Sequence, residues 1–387
     1  MDSVYERLGV RTYINAAGHE TRHGGSLMPP EVLAAVQEAA QRHVWLPELQ
    51  AAAGRRVADV VGAPAALITS GAAGAILLAV AGCLTGADGE KALALPRTPA
   101  GARNRVLVWR LPRPNYLYPA AEAAGGVLEE LGQPDAPVAP EAFAEAIRAG
   151  GGRAAAVLLM IHVLDERRDL TGGWEPFVGG VSRHANEAGV PVLVDAAAEL
   201  PPRGLVRRLL DLGVAGVMVS GGKAIRGPQS SGILAGRPDL IEAATLNNAP
   251  EQRIGRPLKV GKEELCGLVA AVERFWALDE GAQLAEWRRW CAEIAGAAAE
   301  GLGARGEVVE GVPGYGRPPV VAKALVHLRD EATAEAAAAT LREGEPGIQL
   351  FRRGASLLFN PMALLPGEAA AVAQRLRQVL SAARSRS

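Results

Sequence analysis

Aromatic side chains make up only 4% of this 387-residue sequence, so Ala, Val and Leu must do the packing that rings do elsewhere. Apolar residues still reach 49%, enough for a large core. At ~150 residues per domain the length predicts two domains. Long hydrophobic runs are missing. The longest, Ala72 to Leu84, falls short of the ~20 residues that span a bilayer, which argues against a membrane protein. Met1 to Arg11 is charged and has no apolar core of the kind a secretory signal needs, so the expected location is cytoplasmic. The three cysteines, Cys83, Cys266 and Cys291, form no C-x-x-C pair, which excludes a disulfide framework and suits a reducing compartment. Excess charge of either sign is also missing. The net value is −1, which argues against a general nucleic-acid surface and leaves room for a local basic patch alone. Lysine is scarce: Lys91, Lys223, Lys259, Lys262 and Lys323 are all there are, so a lysine in a glycine-rich apolar setting stands out.

What is present is a pattern of short apolar runs alternating with helical stretches. Helices are expected from Pro30 and over Pro47–Val61. The runs Ala65–Thr69, Val106–Trp109, Ala155–Ile161, Val190–Val194, Val214–Val219 and Gly232–Ala235 read as strands buried on both faces. That predicts an α/β domain, a mainly parallel sheet covered by helices. Residues 263–302 read as long helix, with Gly281 as the point of interruption. Strand–helix–strand–helix patterns follow at Val320–Leu328, Glu331–Leu341, Ile348–Phe351 with Leu357–Asn360, and Gly367–Leu380, predicting a smaller α+β domain. The proline- and glycine-rich stretches 311–319 and 344–347 read as loops. The expected division is an arm at 1–45, a large domain at 46–270 and a small domain at 271–387.

Three pieces in order carry chemistry. Ser70-Gly71-Ala72 stands between a strand and a helix, where unpaired N–H groups and the helix dipole suit a phosphate. The plainer reading makes Ser70 an N-cap. Asp195 ends an apolar strand, where an open sheet presents its ligand crevice, and an acid there can keep a pyridine nitrogen protonated. As an isolated residue it would be a turn or cap. Ser220-Gly221-Gly222-Lys223 follows another buried strand. Desolvation there frees a neutral lysine amine for imine chemistry, and Ser220 offers a hydroxyl to the phosphate. A solvated loop lysine is the alternative. Coincidence of all three, each at a strand end, is much harder to sustain than any one alone.

These segments resemble the selenocysteine-synthase-like branch of the fold-type-I pyridoxal-phosphate (PLP) enzymes, and within it the D-glucosaminate-6-phosphate ammonia-lyase-like group. The matching text is I-N-A-A-G at 14–18, G-G-S-L-M at 24–28, E-L-Q-A-A-A-G at 48–54 and T-S-G-A-A at 69–73. It continues at 191–202, 220–232 and 255–264, where P-V-L-V-D-A-A-A-E-L-P-P, S-G-G-K-A-I-R-G-P-Q-S-S-G and G-R-P-L-K-V-G-K-E-E stand. Coverage runs from about residue 10 to 275. The resemblance implies an aminotransferase-like fold, PLP held by Lys223 as a Schiff base, Asp195 on the ring nitrogen, and Ser70, Gly71, Ala72 and Ser220 at the phosphate. It implies a small amino substrate and a homodimer or higher homo-oligomer. Two departures narrow it. Gly25 aligns with the arginine that binds phosphate in the selenium-transferring members, and no room exists for their RNA-contacting N-terminal segment. Pro112, inside Arg110-Leu111-Pro112-Arg113-Pro114-Asn115-Tyr116, aligns with a histidine of the lyase-like members, in a region that covers the cofactor ring.

Elimination of water and ammonia from an anionic β-hydroxy amino acid or amino sugar acid follows from the resemblance. Transfer, aldol-type cleavage and a cofactor-binding scaffold without catalysis stand beside it. Arg253, Arg256, Lys259 and Lys262 could hold an acidic substrate tail or a phosphate, and Arg352 or Arg353 a substrate carboxylate. A solvated charged loop is the plain alternative for the first set. His19-Glu20-Thr21-Arg22-His23 has the H-E-x-x-H spelling of a zinc site. No apolar helical stripe accompanies it and Gly24-Gly25 follow at once, so no metal is expected.

Overall fold

The computed structural model describes residues 3–132, 139–165, 170, 173–299, 304–310 and 317–384. The chain forms two units, one of Met28–Leu278 and one of Met1–Leu27 with Asp279–Ser387. The first 27 residues thus group with the C-terminal part of the chain. Residue 270 lies inside the helix Lys262–Ala277, and the division falls after that helix ends.

The first strand, Tyr13–Asn15 (β1), belongs to the smaller unit. The larger unit holds β2 (Ala65–Thr69), β3 (Arg105–Trp109), β4 (Val127–Leu131), β5 (Ala154–Met160), β6 (Val192–Asp195), β7 (Gly216–Ser220) and β8 (Gly232–Gly236). They make one sheet in the order β2-β8-β7-β6-β5-β3-β4. All pairs are parallel except the two that β8 makes, with β2 and with β7. Every residue of β5 and β6 is buried, as aliphatic runs covered on both faces require. The helix Gly71–Thr85, small and apolar nearly all round, is buried over most of its length and packs on the helix Pro238–Leu246. The few aromatics concentrate: Phe177 meets Trp109 and Phe143 edge-on, with ring centres 6.0 and 6.2 Å apart.

The strand Val127–Leu131 is absent from the sequence expectation because Glu129 and Glu130 interrupt its apolar run. It is an edge strand, and those carboxylates pair with Arg105 and with Arg110 and Arg113. The long helix expected from 263 is two helices, Lys262–Ala277 and Glu280–Ala299. The break comes at Leu278-Asp279, ahead of Gly281, where Asp279 Oδ1 accepts the Ala282 N–H at 3.0 Å and restarts the helix. The expected continuation to residue 302 lies outside the described residues, as does the 311–316 part of the expected loop.

In the smaller unit, Phe351–Arg353, Ser356–Phe359, Lys323–His327 and Arg305–Val309 form an antiparallel sheet in that order. Arg305–Val309 is again a charged edge strand that its composition hides. The expected helices are present as Glu331–Glu343 and Glu368–Arg384. β1 pairs parallel with Gly347–Gln349. No helix among the described residues is long and apolar enough to cross a membrane.

Candidate active site

Because β2 and β7 are each antiparallel to β8, they run the same way as each other and as β6, β5 and β3. The carboxyl ends of all five therefore share one edge of the sheet. Register fixes the rows: Thr69 and Ser220 both stand opposite Gly232, and Asp195 stands between Met160 and Met218. The three chemistry-bearing segments, far apart in the chain, leave the sheet on this one edge, where a doubly wound sheet binds its ligand.

The Ser70 hydroxyl is buried without a hydrogen-bond partner, and it makes no cap to the helix Gly71–Thr85 that it precedes. A buried hydroxyl without a partner at a helix start suits an anion, and Ser70 does not make the side-chain cap that the plainer reading gave it. Gly71 has φ +85°, a conformation that side chains rarely adopt. A Cβ added to Gly232 would lie 2.5 Å from the Gly71 carbonyl carbon, so the strand and the helix start touch through bare backbone. Ala72 is buried in the first turn.

Asp195 is 2% exposed. Its Oδ1 accepts the Ala197 N–H at 3.0 Å, and its Oδ2 accepts the Tyr116 hydroxyl. Burial pushes its pKa up, against the Tyr116 bond, the nearby Lys223 charge and the Ala197 bond, and the balance lies above the ordinary carboxylate value. Lys223 is half-buried in the turn after β7. That turn is tight: Gly221 N–H donates to Ser231 at 2.9 Å, Gly227 N–H to Gly221 at 2.8 Å, and a Cβ on Gly222 would meet the Gln229 backbone at 2.7 Å. Ser220 ends β7 half-buried beside it.

The basic set divides. Leu258 reaches Gly74 in the first turns of the phosphate-side helix, 3.8 Å from where a Cβ would stand, and its neighbours Arg256 and Lys259 are exposed. Arg253 donates through Nη1 to the Leu246 carbonyl at 2.6 Å, and Lys262 pairs with Glu263. Arg352 belongs to the other unit and forms ion pairs with Glu331 and Glu335, both at 2.8 Å. The H-E-x-x-H segment is a 3₁₀ turn at Thr21–His23 instead of an α-helix, and His23 Nδ1 lies 3.0 Å from the Tyr13 hydroxyl. Among the described residues no three His, Cys, Asp or Glu side chains gather as a metal site would need. A groove of about 1060 Å³ runs beside the outer edge of β2, lined by Gln50, Ala65, Leu67, Ile241 and Arg253 among others; Lys223, Asp195 and Ser70 are not in its wall.

Sequence reasoning missed Tyr116. Its partner is 79 positions away, and no spacing rule links them. The signal available was an aromatic residue in the segment that leaves β3 at the same edge.

A buried serine hydroxyl at a helix start, a buried carboxylate and a lysine on a glycine-bound turn, all on the carboxyl edge of this sheet, fit PLP. Comparison with known proteins shows the class, the fold-type-I PLP enzymes. A 5'-C-glycyluridine monooxygenase-decarboxylase of Streptomyces is 31% identical over 387 residues, covering 97% of this chain and 92% of its own. A D-glucosaminate-6-phosphate ammonia lyase of Salmonella typhimurium is 31% identical over 278 residues, 70% of each chain. The solved structure of a D-glucosaminate-6-phosphate ammonia-lyase superposes with a TM-score of 0.81 at 27% identity, covering 99% of this chain and 100% of that one. No family model matches the chain. The chain belongs to the selenocysteine-synthase-like family of fold-type-I PLP enzymes that includes the D-glucosaminate-6-phosphate ammonia-lyases.

Proposed function

We infer that this PLP enzyme is a lyase that eliminates water and ammonia from a small anionic β-hydroxy amino acid or amino sugar acid. The observation that carries the reading is likeness to an ammonia-lyase structure over essentially the whole chain, joined to a lysine and a buried acid at one sheet edge. When bound, PLP supplies an electron-withdrawing ring that stabilises negative charge at the substrate Cα. Lys223 Nζ is the attachment point and, once free, the base that takes the Cα proton. Asp195 keeps the ring nitrogen protonated. The hydroxyls of Ser70 and Ser220 and the N–H groups of Gly71 and Ala72 take the phosphate. Arg256 and Lys259 draw an acidic substrate to the site, with Arg253 bracing their loop. Loss of the β-hydroxyl as water and hydrolysis of the product give a keto acid and ammonia, so atoms balance without an oxidant.

The test is a screen of β-hydroxy amino acids and amino sugar acids. Ammonia and keto acid should rise together over many turnovers without an amino acceptor. A single turnover that leaves pyridoxamine, reset by an added keto acid, contradicts elimination. One observation favours a second reading: the Streptomyces relative, named a monooxygenase-decarboxylase, aligns across nearly the entire chain. An oxidative decarboxylase would consume oxygen and release carbon dioxide, and elimination of water and ammonia does neither.

A further inference from the structure

Tyr116 lies outside both the phosphate cradle and the lysine turn, in the segment that departs from the family pattern. Its place is built. Asn115, next to it, accepts the Leu117 N–H on Oδ1 at 3.0 Å and sets Nδ2 3.5 Å from Met160 Sδ at the end of β5. The Tyr116 hydroxyl donates to Asp195 Oδ2, while Ala197 N–H holds Oδ1. With Asp195 nearly sealed from solvent, these donors replace the water that would otherwise solvate the carboxylate. Each carboxylate oxygen can accept twice, so one position on each stays open for a ring N–H.

The surrounding charges favour a neutral tyrosine. Tyr116 is 41% exposed as a residue, and its hydroxyl end is the part turned in to the sealed Asp195 carboxylate. Desolvation of that end first, then the Asp195 and Glu199 carboxylates, push the hydroxyl well above its ordinary value of 10.0, which favours the neutral donor form. The other groups around the pair are Lys223, from the turn after β7, and Glu199, buried in the turn after β6, with His162 Nδ1 4.0 Å from Glu199 Oε1.

We propose that Tyr116 is a positioning residue that keeps the buried Asp195 ionised and aimed to receive the cofactor's ring N–H. The proposal rests on the reading of Asp195 as the ring-nitrogen partner. Burial pushes Asp195 toward its protonated form, and the Tyr116 bond opposes that push. Removing the hydroxyl makes Asp195 easier to protonate. The carboxylate form is the one that binds a protonated ring, so affinity is lost as pH falls through the Asp195 titration, and this loss moves to higher pH in Tyr116→Phe.

The experiment measures the dissociation constant of PLP for the cofactor-stripped full chain by absorbance across mildly acid to mildly alkaline pH. The parent, Tyr116→Phe and Asp195→Asn are compared. Phenylalanine keeps the ring, and near-ultraviolet circular dichroism checks the fold. On the acid side Tyr116→Phe should bind about tenfold more weakly than the parent, the loss of one hydrogen bond to a charged group. On the alkaline side the two should coincide. Imine formation at a lysine weakens in acid whatever stands at position 195, so the Asp195 contribution is the part of the acid-side fall that Asp195→Asn removes. Weakening by the same factor at every pH means packing alone and overturns the proposal. So does superposition of Tyr116→Phe on the parent, which leaves the Asp195 reading standing if Asp195→Asn falls less than the parent. An acid-side fall as large in Asp195→Asn as in the parent overturns both.

Discussion

Asp195 sits where a carboxylate is costly. Its folded pKa lies above the unfolded value of about 3.8, so between the two the folded chain binds more protons. Folding stability from this group is therefore greatest below the unfolded pKa, falls as pH rises through the window, and stays lower above the folded pKa. Asp195→Asn removes that cost. In calorimetry the cofactor-free variant should be more stable than the parent at neutral pH by about 1 kcal/mol. Its turnover with cofactor bound should fall by about 100-fold or more, because the ring nitrogen loses its partner. Full turnover would contradict the role given to Asp195, and a less stable variant would contradict the burial cost. Lys223 and Asp195 were legible as candidates because Asp195 closes an apolar run and Lys223 follows one across Ser220-Gly221-Gly222. Tyr116 was legible only as an aromatic in the segment that leaves β3, because its contact with Asp195 spans 79 positions. Arg352 looked available in the sequence, and the two glutamates of one neighbouring helix that engage it became visible only in three dimensions.

The sheet strands legible as elements were those with unbroken apolar runs, because full burial on both faces writes itself as composition. Of the missed strands, Val127–Leu131 and Arg305–Val309 lie at sheet edges and carry charge there, as strands that must discourage further pairing do, while Tyr13–Asn15 is only three residues long. The approach of β8 to the helix start at Gly71 is also invisible in sequence, although the proposed phosphate site depends on it. Gly232→Ala should force that backbone apart, at a cost of about 1–3 kcal/mol and with loss of PLP affinity. Gly296→Ala is the matched control. A Cβ there meets nothing within 4 Å inside the helix Glu280–Ala299, so it should be neutral or gain up to ~1 kcal/mol. Chemical denaturation and a cofactor titration check both variants. Equal behaviour of the two would show that the close approach does not matter.

Across the whole molecule, the family motifs cover about residues 10 to 275, whereas the likeness to the ammonia-lyase structure covers 99% of the chain. The difference is physical. A cofactor site demands particular residues at particular strand ends, while the sheet and helices of the smaller unit need only apolar periodicity, which many sequences supply. PLP, as proposed, is held at this edge of the sheet through one of the chain's five lysines. The most direct measurement reduces the holoenzyme with borohydride, digests it and maps the pyridoxyl group by mass spectrometry. The adduct should fall on Lys223. An adduct on Lys259 or Lys262, with Lys223 unmodified, would contradict the claim.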